Sequence, residues 1–420
     1  MTSLEQAPFC SWASPLYNSR SVRILLLNLY YPPDTSATAR MAAIVAEALA
    51  AKHEVTVLCG RPSYDPAEHH SWYFFRRGTQ GRVTTLRVGS TIYPRTRMRQ
   101  RAINYLTYVA LAVPCALFVK VDIVLAMTDP PFEGIVGAFV AMLKRRPFFY
   151  NVRDMYPDMA LAGNLIHPGA LARFWEWLHR WALRRAKRVL VLGEDMRDTI
   201  VPKGVDPARI VVVRDGVENP SAPLPQPDGE VVAAIRNGAR FVFVHAGNLG
   251  FSGAWETMVR AVRQLESESI GLVFIGDGAQ RSQVQALAEG ARNVRLLPFF
   301  LPSKIPSVLA AADAHVITVI RGLEGVVVPS KIYGILAAGR AVLAVTPKES
   351  DVARITLRHG CGLAADPDDP AAVARAMREL ARDPIQSKHM GECARAAAPE
   401  YDRVLHLQTF LQVLEEAGQA

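Results

Sequence analysis

Cysteine is scarce in this chain, and so are the spacings that would give it a metal-binding or redox role. The five cysteines among 420 residues, Cys10, Cys59, Cys115, Cys361 and Cys393, are odd in number and scattered, and no two of them form a Cys-x-x-Cys pair. This pattern argues against a structural zinc site and against a dithiol redox motif. We interpret the cysteines as reduced and structural, and we therefore expect a cytoplasmic protein.

Signals for export and an excess of acidic residues are also missing. Residues 1–20 lack a basic start followed by an apolar run, so we expect a loose tail there and not a secretory signal. The chain has 39 Asp and Glu against 48 Lys and Arg, which gives a net charge of +9. A basic balance favours nucleic acid, a phosphorylated substrate or acidic lipid as the partner. We expect no nucleic acid, because the aromatic residues lie on an apolar helix face and do not interleave with the basic ones.

Short apolar runs alternate with longer helical patterns along the chain. Near-continuous apolar strands separated by helices predict parallel sheets that are covered on both faces. The runs form two sets, 23–31, 54–58, 122–127, 147–152, 188–192 and 210–213 in the first and 241–245, 271–275, 294–297, 315–319 and 341–345 in the second. We predict an α/β protein with two doubly wound, Rossmann-like domains.

The segment 219–229, NPSAPLPQPDG, predicts the domain boundary, because its four prolines forbid a helix and remove sheet donors. The predicted first domain then spans 21–218 and the second spans 230–398. Residues 399–420 have apolar positions at helical spacing, and we expect a helix that packs back on the first domain.

The loop after the first strand is a candidate ligand site, because ligands of such sheets bind at the carboxyl ends of the strands. Thr35, Ser36 or Thr38 can cap a helix that begins near Ala39, and free N–H groups at a helix start attract anions. Helix capping alone explains these residues equally well.

The second set of strands opens with a glycine-containing turn. Gly247, Asn248 and Gly250 lie between a strand and a helix, where the backbone can approach a pyrophosphate closely. The full dinucleotide fingerprint G-x-G-x-x-G is absent, so we expect no nicotinamide cofactor. The turn at Gly276 to Gly278 carries little information, since such turns commonly just end strands.

Taken in order, these motifs resemble those of retaining sugar transferases of glycosyltransferase family 4. The donor half of that family is similar to HAGNLG, FIGDG, LLPFF, AAADAHVITV, VVVPSKIYGILAAGRAVLAV and CGLAADPDDPAAVARAM. The acceptor half is similar to LNLYYPPDTSATAR, TDPPFEG, NVRDMYPDM, VLVLGEDMRD and VVVRDGVE. The resemblance covers roughly 22–417, and the pattern PSK-x-YG points to bacterial transferases of O-antigen and colanic-acid-type polysaccharide assembly.

The resemblance implies a GT-B architecture, in which two Rossmann-like domains face each other across a cleft. It also implies a nucleotide-diphosphate sugar as donor, with UDP favoured over GDP, and neither a metal nor a cofactor. In such enzymes protein groups stabilise the charge that develops on the leaving diphosphate. Ser330 and Lys331, at a helix start, are the best-placed groups here. The donor-binding residues implied are Gly247, Asn248, Gly250, Pro298, Phe299, Glu324, Pro329, Ser330, Lys331 and Glu349.

The sequence departs from the family pattern at the donor site. Val326 and Gly334 stand where the family has two glutamates, the second of which binds ribose, so we expect Glu324 or Glu349 to substitute. Asn248 and Gly253 stand where many relatives carry Arg and Lys. The resemblance therefore places more of the phosphate neutralisation on Lys331, backbone N–H groups and Arg321.

On the acceptor side, Arg153 and Asp154 stand where relatives carry a His-Asp or Arg-Asp pair. With Lys331 they are the predicted catalytic residues, and Asp154 can orient or deprotonate the acceptor hydroxyl. A purely structural turn is the alternative, because Asp before Tyr-Pro is good turn chemistry. We also assign Thr35, Ser36 and Tyr156 to the acceptor side.

Two segments predict contact with a membrane. The first is an arginine-rich stretch, 93–101, followed by a long apolar run; we expect a buried or interfacial helix there and not a membrane span. The second is an amphipathic helix over 171–188, with an apolar face formed by Leu171, Phe174, Trp175, Trp177, Leu178, Trp181 and Ala182. That face can pack on the protein's own core or suit a lipid headgroup interface. We expect peripheral attachment to the inner face of the cell membrane.

Two classes of function fit these observations. The first is a retaining transfer of a hexosyl or N-acetylhexosaminyl unit to a lipid-linked saccharide, or to a small soluble acceptor. The second is a non-catalytic scaffold that binds nucleotide-sugars at the membrane, which the missing glutamates favour.

Overall fold

The computed structural model describes residues 21–63, 73–93 and 98–418, and it contains two sheets flanked by helices. The elements up to residue 144 are β1 (Arg23–Leu27), α1 (Ala37–Ala50), β2 (Glu54–Cys59), β3 (Phe75–Gln80), β4 (Val83–Val88), α2 (Met98–Phe118), β5 (Ile123–Ala126) and α3 (Glu133–Lys144). They are followed by β6 (Phe148–Val152), α4 (Asp158–Ala162), α5 (Ala170–Arg185), β7 (Arg188–Val191), α6 (Glu194–Ile200) and β8 (Ile210–Val212).

The rest of the chain continues the alternation of strands and helices. Its elements are α7 (Gly229–Arg236), β9 (Phe241–Ala246), α8 (Trp255–Arg263), β10 (Ile270–Ile275), α9 (Arg281–Ala288), β11 (Val294–Leu297), α10 (Ile305–Ala311), β12 (Ala314–Thr318), α11 (Lys331–Ala337), β13 (Ala341–Val345), α12 (Asp351–Arg358), β14 (Gly362–Ala365), α13 (Pro370–Arg382), α14 (Pro384–Ala397) and α15 (Arg403–Gly418).

The first sheet has eight strands in the order β3-β4-β2-β1-β5-β6-β7-β8, and β3 is antiparallel to β4. The second sheet has six strands in the order β11-β10-β9-β12-β13-β14, and its pairs are parallel. Phe243, Phe274 and Leu343 of the second sheet are fully buried, which agrees with strands covered on both faces. The predicted fold class of two doubly wound, mostly parallel sheets is confirmed.

By its internal contacts the chain forms two compact units. The first holds the described residues up to Phe149 together with those from Leu411 onward, and the second holds Tyr150–Phe410. Within the first unit, Lys52 Nζ donates to Glu415 Oε1 of α15 at 3.3 Å. The boundary at 219–229 and the domain limits drawn from it stay predictions.

The β3–β4 hairpin and β14 were not predicted from the sequence. All six residues of β3 are exposed, so its sequence FRRGTQ has no alternation of apolar and polar residues to mark a strand. The hairpin turns at Gly81, whose φ of 57° lies in the left-handed region that glycine adopts without strain.

Helix α5 leaves part of its apolar face exposed. Its buried residues are Ala172, His179, Ala182 and Leu183, whereas Leu171, Phe174 and Trp177 are more than half exposed. The interpretation that this face packs on the protein's own core is therefore wrong for these three side chains.

Candidate functional site

The glycine turns after β9 and β10 pack directly on each other at one edge of the second sheet. Gly247 N donates to Ile275 O, and Leu249 N donates to Asp277 O, both at 2.8 Å. A Cβ atom at Gly276 would lie 2.0 Å from Gly247 O, and its φ of 143° also requires glycine. The Gly276 to Gly278 turn, which carries little information in the sequence, is thus part of the same structure as the predicted Gly247 turn.

Lys331 lies against the Gly247 turn. Its Nζ would be 2.8 Å from a Cβ atom at position 247, so a side chain there would displace the ammonium group. The same Nζ lies 3.1 Å from His245 Nε2. The structure therefore brings together two of the predicted residues, Gly247 and Lys331, and adds a third, His245, that the sequence analysis did not select.

His245 orients the Lys331 ammonium group through a fixed tautomer. Its Nδ1 lies 3.1 Å from Val316 O, a carbonyl that can only accept, so Nδ1 carries the proton and Nε2 accepts from Lys331 Nζ. His245 is only 2% exposed. Burial, followed by the nearby charge of Lys331, holds the pKa of His245 well below its usual 6.5 and keeps the ring neutral.

Burial also shifts the pKa of the lysine. It lowers the pKa of Lys331 from its usual 10.5 to about 8, because the charged form loses solvation. An anionic ligand placed beside the Nζ would restore the charge. The group is therefore suited to bind a phosphate, and its protonation state will depend on whether the site is filled.

Asn248 and Gly250 complete the turn. Trp255 Nε1 donates to Gly250 O at 2.7 Å, which ties the turn to the start of α8. The Asn248 amide lies 2.9 Å from the Cβ position of Gly250, and its Oδ1 lies 2.5 Å from that of Gly278. These contacts tie the two turns to each other and to α8.

An aromatic ring and an additional cation lie at the same edge. Phe299 is 59% exposed, and its ring lies 3.1 Å from the Cβ position of Gly276. Pro298 precedes it and is also exposed. Arg281 donates from its guanidinium to Gly276 O. Sequence analysis missed Arg281, because its position at the start of α9 carries no motif.

The two candidate carboxylates, Glu324 and Glu349, have other local contacts. Glu324 Oε2 accepts from Gly322 N at 2.6 Å within its own loop. Glu349 is exposed, and its carboxylate lies 3.9 Å from Lys348 Nζ. Arg321, expected to help neutralise phosphate, forms ion pairs of 2.8 and 2.7 Å with Asp366 and Asp368. Their predicted roles at the donor stay predictions.

The positions of the two missing glutamates have distinct surroundings. Val326 is 4% exposed, and its carbonyl accepts from Met155 N at 3.1 Å. Among the described residues, Leu309 Cδ1 is the one atom that a Cβ atom at Gly334 would meet, at 3.7 Å. Between them, Pro329 is partly buried and Ser330 is exposed, and the Ser330 hydroxyl makes no capping hydrogen bond to α11.

The predicted acceptor-side residues of the second unit follow β6. Arg153 is 8% exposed, and its guanidinium donates to Asp215 Oδ2 at 2.6 Å. Asp154 is partly buried. The Tyr156 ring stacks on Trp175 of α5 with centroids 5.9 Å apart. A buried ion pair thus holds the turn, and the role of Asp154 toward an acceptor stays a prediction.

Thr35 and Ser36 lie in the first unit, after β1. Ser36 Oγ accepts from Ala39 N at 3.1 Å and caps α1, while Thr35 is exposed. Ser36 therefore has a structural role whether or not it contacts an acceptor.

In 21–63, 73–93 and 98–418, no group of three or more His, Cys, Asp or Glu side chains is placed to hold a metal ion.

Comparison with known proteins gives two family matches in succession. Residues 36–216 match the glycosyl transferase 4-like domain, and residues 240–383 match the glycosyl transferases group 1 domain. The chain is 27% identical to "Probable glycosyltransferase WbjE" of Pseudomonas aeruginosa over 69% of this chain and 73% of that protein. It is 21% identical to WcaI of Escherichia coli (strain K12), whose name assigns it to colanic acid biosynthesis, over 85% and 92% of the two chains.

The fold is also similar to solved structures. One of them is HepE of Anabaena in complex with UDP and glucose, with a TM-score of 0.66, 18% identity and coverage of 94% of this chain and 100% of that one. At this identity the likeness concerns the fold alone.

Proposed function

We propose a transfer reaction for this chain, which belongs to the GT-B glycosyltransferases that combine a glycosyl transferase 4-like domain with a group 1 domain. In this reaction the protein transfers the sugar of a UDP-sugar to a saccharide hydroxyl. The acceptor in this proposal is a lipid-linked saccharide of a cell-surface polysaccharide, and the anomeric configuration is retained. Relatives support the proposal, since WcaI is named for colanic acid biosynthesis and HepE was solved with UDP and glucose.

The observation that carries the proposal is the pair of His245 and Lys331 beside the Gly247 turn. The turn offers backbone that a pyrophosphate can approach closely, because no Cβ atom intervenes. Lys331 Nζ, 3.1 Å from His245 Nε2, supplies a cation at the same place. A diphosphate bound here would accept a charge-assisted hydrogen bond that strengthens as the bond to the sugar breaks.

In the proposed reaction the C1–O bond to UDP breaks while the acceptor oxygen bonds to C1 on the same face. Lys331 and the backbone N–H groups of the glycine turns stabilise the negative charge on the leaving diphosphate, so no metal is required. Asp154 orients the acceptor hydroxyl or takes its proton. Arg153, fixed by Asp215 at 2.6 Å, positions the turn that carries Asp154.

The test is nucleotide release from a panel of UDP- and GDP-sugars, with membrane lipid-linked saccharides as acceptors. We expect UDP release that depends on acceptor, and an NMR spectrum of the product with the donor's anomeric configuration. Thermal stabilisation by each nucleotide selects the base, since a ligand at 100 times its dissociation constant adds about 2.7 kcal/mol to the folded state. The proposal fails if the protein neither binds nor turns over any member of the panel.

A nucleotide-sugar-binding scaffold is the second candidate. Val326 and Gly334 have no carboxylate for a ribose, and Glu324 accepts from Gly322 N, so donor binding without catalysis is chemically reasonable. Binding of a UDP-sugar without transfer or slow hydrolysis would favour the scaffold. Transfer to soluble saccharides but not to lipid-linked ones would favour a transferase with a small acceptor.

We further propose that the protein acts in the cytoplasm at the inner face of the cell membrane. The net charge of +9 suits acidic lipid headgroups, and a lipid-linked acceptor has to be reached there.

A further inference from the structure

Helix α2 presents large apolar side chains to solvent near both of its ends. Ile103, Leu106, Leu117 and Phe118 are exposed by 44%, 64%, 39% and 90%, and they lie at helical spacing. By length and composition, Arg99–Phe118 is the one helix in the described part of the chain that can cross a membrane, yet only 28% of its most apolar window is buried. A core helix of a soluble protein would bury much more of such a window.

Helix α3 lies beside α2 and extends this face. The Tyr105 and Phe132 rings are 6.1 Å apart, and twelve residues later in both helices Lys144 Nζ donates to Leu117 O at 2.9 Å. The two contacts are separated by twelve residues in each helix, which is a rise of about 18 Å at 1.5 Å per residue. The helices therefore run parallel and side by side. Their exposed side chains therefore lie on two adjacent helices.

We define the α2–α3 surface by the seven large apolar residues that these helices expose. It consists of Ile103, Leu106, Leu117, Phe118, Phe139, Met142 and Leu143. They make up seven of the 21 exposed large apolar residues in the described ranges. Exposed apolar residues that are concentrated on two adjacent helices indicate a contact surface, whereas scattered ones do not. The apolar face of α5 is smaller, with Leu171, Phe174 and Trp177.

Cations border the α2–α3 surface. Arg99 is exposed at the start of α2, and Lys120, Arg145 and Arg146 are exposed beyond the ends of α2 and α3. No acidic residue occurs between 93 and 121. The first acid after α2 is Asp122, which is held by Arg23 at 2.8 Å. An apolar strip with cations at its ends complements a bilayer with anionic headgroups.

The inner face of α2 is held by the fold, which determines how the helix can meet a bilayer. The Asn104 side chain exchanges hydrogen bonds of 2.9 Å with both Tyr93 N and Tyr93 O. Tyr108 OH donates to Glu133 Oε1 at 2.9 Å, deep in the unit. A spanning orientation would break these bonds, whereas a helix that lies in the plane of the interface keeps all of them.

We propose that the α2–α3 surface docks onto an anionic lipid bilayer and inserts its apolar side chains below the headgroups, with α2 in the plane of the membrane. The occupant is lipid, because a partner protein or a second copy of the chain would not require the cations at both ends. This docking goes beyond the transfer reaction and does not depend on it, since it needs neither donor nor acceptor.

The test is flotation of the full chain with phosphatidylcholine vesicles, with and without phosphatidylglycerol. We expect binding to the anionic vesicles, and a loss of about tenfold or more for Leu106→Asp and for Phe118→Asp, because each returns a large apolar side chain to water. Lys120→Glu with Arg146→Glu should weaken binding by about tenfold or more, at about 1 kcal/mol for each lost cation. Ile385→Asp, at an 83% exposed position on α14, is the matched control and should bind like the wild type.

Four results would overturn the proposal. Both apolar variants could bind the vesicles like the wild type. The wild type could also bind equally well to vesicles with and without phosphatidylglycerol. Trp177→Ser on α5 could abolish binding while Leu106→Asp does not. Light scattering without lipid could show a dimer that Leu106→Asp converts to a monomer while flotation is unchanged. Equal melting temperatures will show that the variants are folded, and flotation is read without nucleotide, so failure of the proposed transfer activity leaves this result intact.

Discussion

Raising the pH from about 7 to about 9 should weaken UDP binding about tenfold through the titration of Lys331 alone. The lysine binds a diphosphate only when it is protonated. Its pKa in the free protein is lowered to about 8 by burial, and a bound diphosphate raises it again. The dissociation constant of UDP therefore rises about tenfold for each pH unit above the pKa that Lys331 has in the free protein. Below about pH 7 the titration of Lys331 leaves it nearly constant.

Isothermal titration calorimetry of UDP at several pH values measures this effect. Lys331→Arg is the informative variant, because the guanidinium stays charged throughout the range. Its UDP affinity should change little with pH, whatever its value at pH 7, and UDP's own titration is common to both proteins. Lys348→Arg, at a side chain that is 87% exposed, is the control and should keep the wild-type pH dependence.

The reasoning is refuted if Lys331→Arg and the wild type lose UDP affinity in parallel as the pH rises. That result would mean that the titrating group belongs to the ligand or to another residue. A wild-type affinity that is flat up to about pH 9 would show instead that Lys331 does not contact the diphosphate.

Three further predictions concern single side chains. Replacing His245 by Leu removes the acceptor that orients Lys331 Nζ and should weaken UDP binding by about five- to tenfold in calorimetry, as expected for a net hydrogen bond of about 1 kcal/mol; unchanged affinity would contradict this role. Ser36→Ala should lower the free energy of unfolding by about 1 kcal/mol in denaturant titrations through loss of the α1 cap, whereas a larger loss of turnover than of stability would reveal an acceptor contact. Burial raises the pKa of Glu133 from 4.5 to about 8, so the folded protein holds that proton more tightly, and the free energy of unfolding should fall as the pH rises from about 5 to about 8. Glu133→Gln should remove that part of the fall, and identical pH profiles in thermal melts would contradict the assignment.

Most of the second sheet was predictable from sequence because its inner strands, such as β12 and β13, are buried on both faces, whereas the edge strand β14 was missed. The predicted runs 294–297 and 341–345 coincide with β11 and β13, and 241–245 differs from β9 by one residue. Short apolar runs that are followed by proline or glycine within two residues leave little freedom for alternative boundaries. The exposed strand β3 has no such run, and it was missed.

The site was predictable only where a motif and a backbone requirement coincide. Gly247 belongs to the motif HAGNLG and Lys331 to the motif PSKIYG, and the structure brings the two residues together. His245 could not be selected, because its role depends on a contact with Lys331 across 86 positions. Arg281 could not be selected, because its position at the start of α9 carries no motif. The environment of the α5 face was left open for a related reason, since periodicity shows that a helix is amphipathic and does not show whether its apolar face is covered.

UDP titration of the wild type and of Lys331→Ala at about pH 7 tests the central claim most directly. We predict one site in the wild type, an affinity at least about tenfold weaker in the variant, and equal melting temperatures without ligand. Lys348→Ala should bind like the wild type. Equal affinity in Lys331→Ala and the wild type would contradict a diphosphate site at the Gly247 turn, and with it the proposed transfer reaction at this edge of the second sheet.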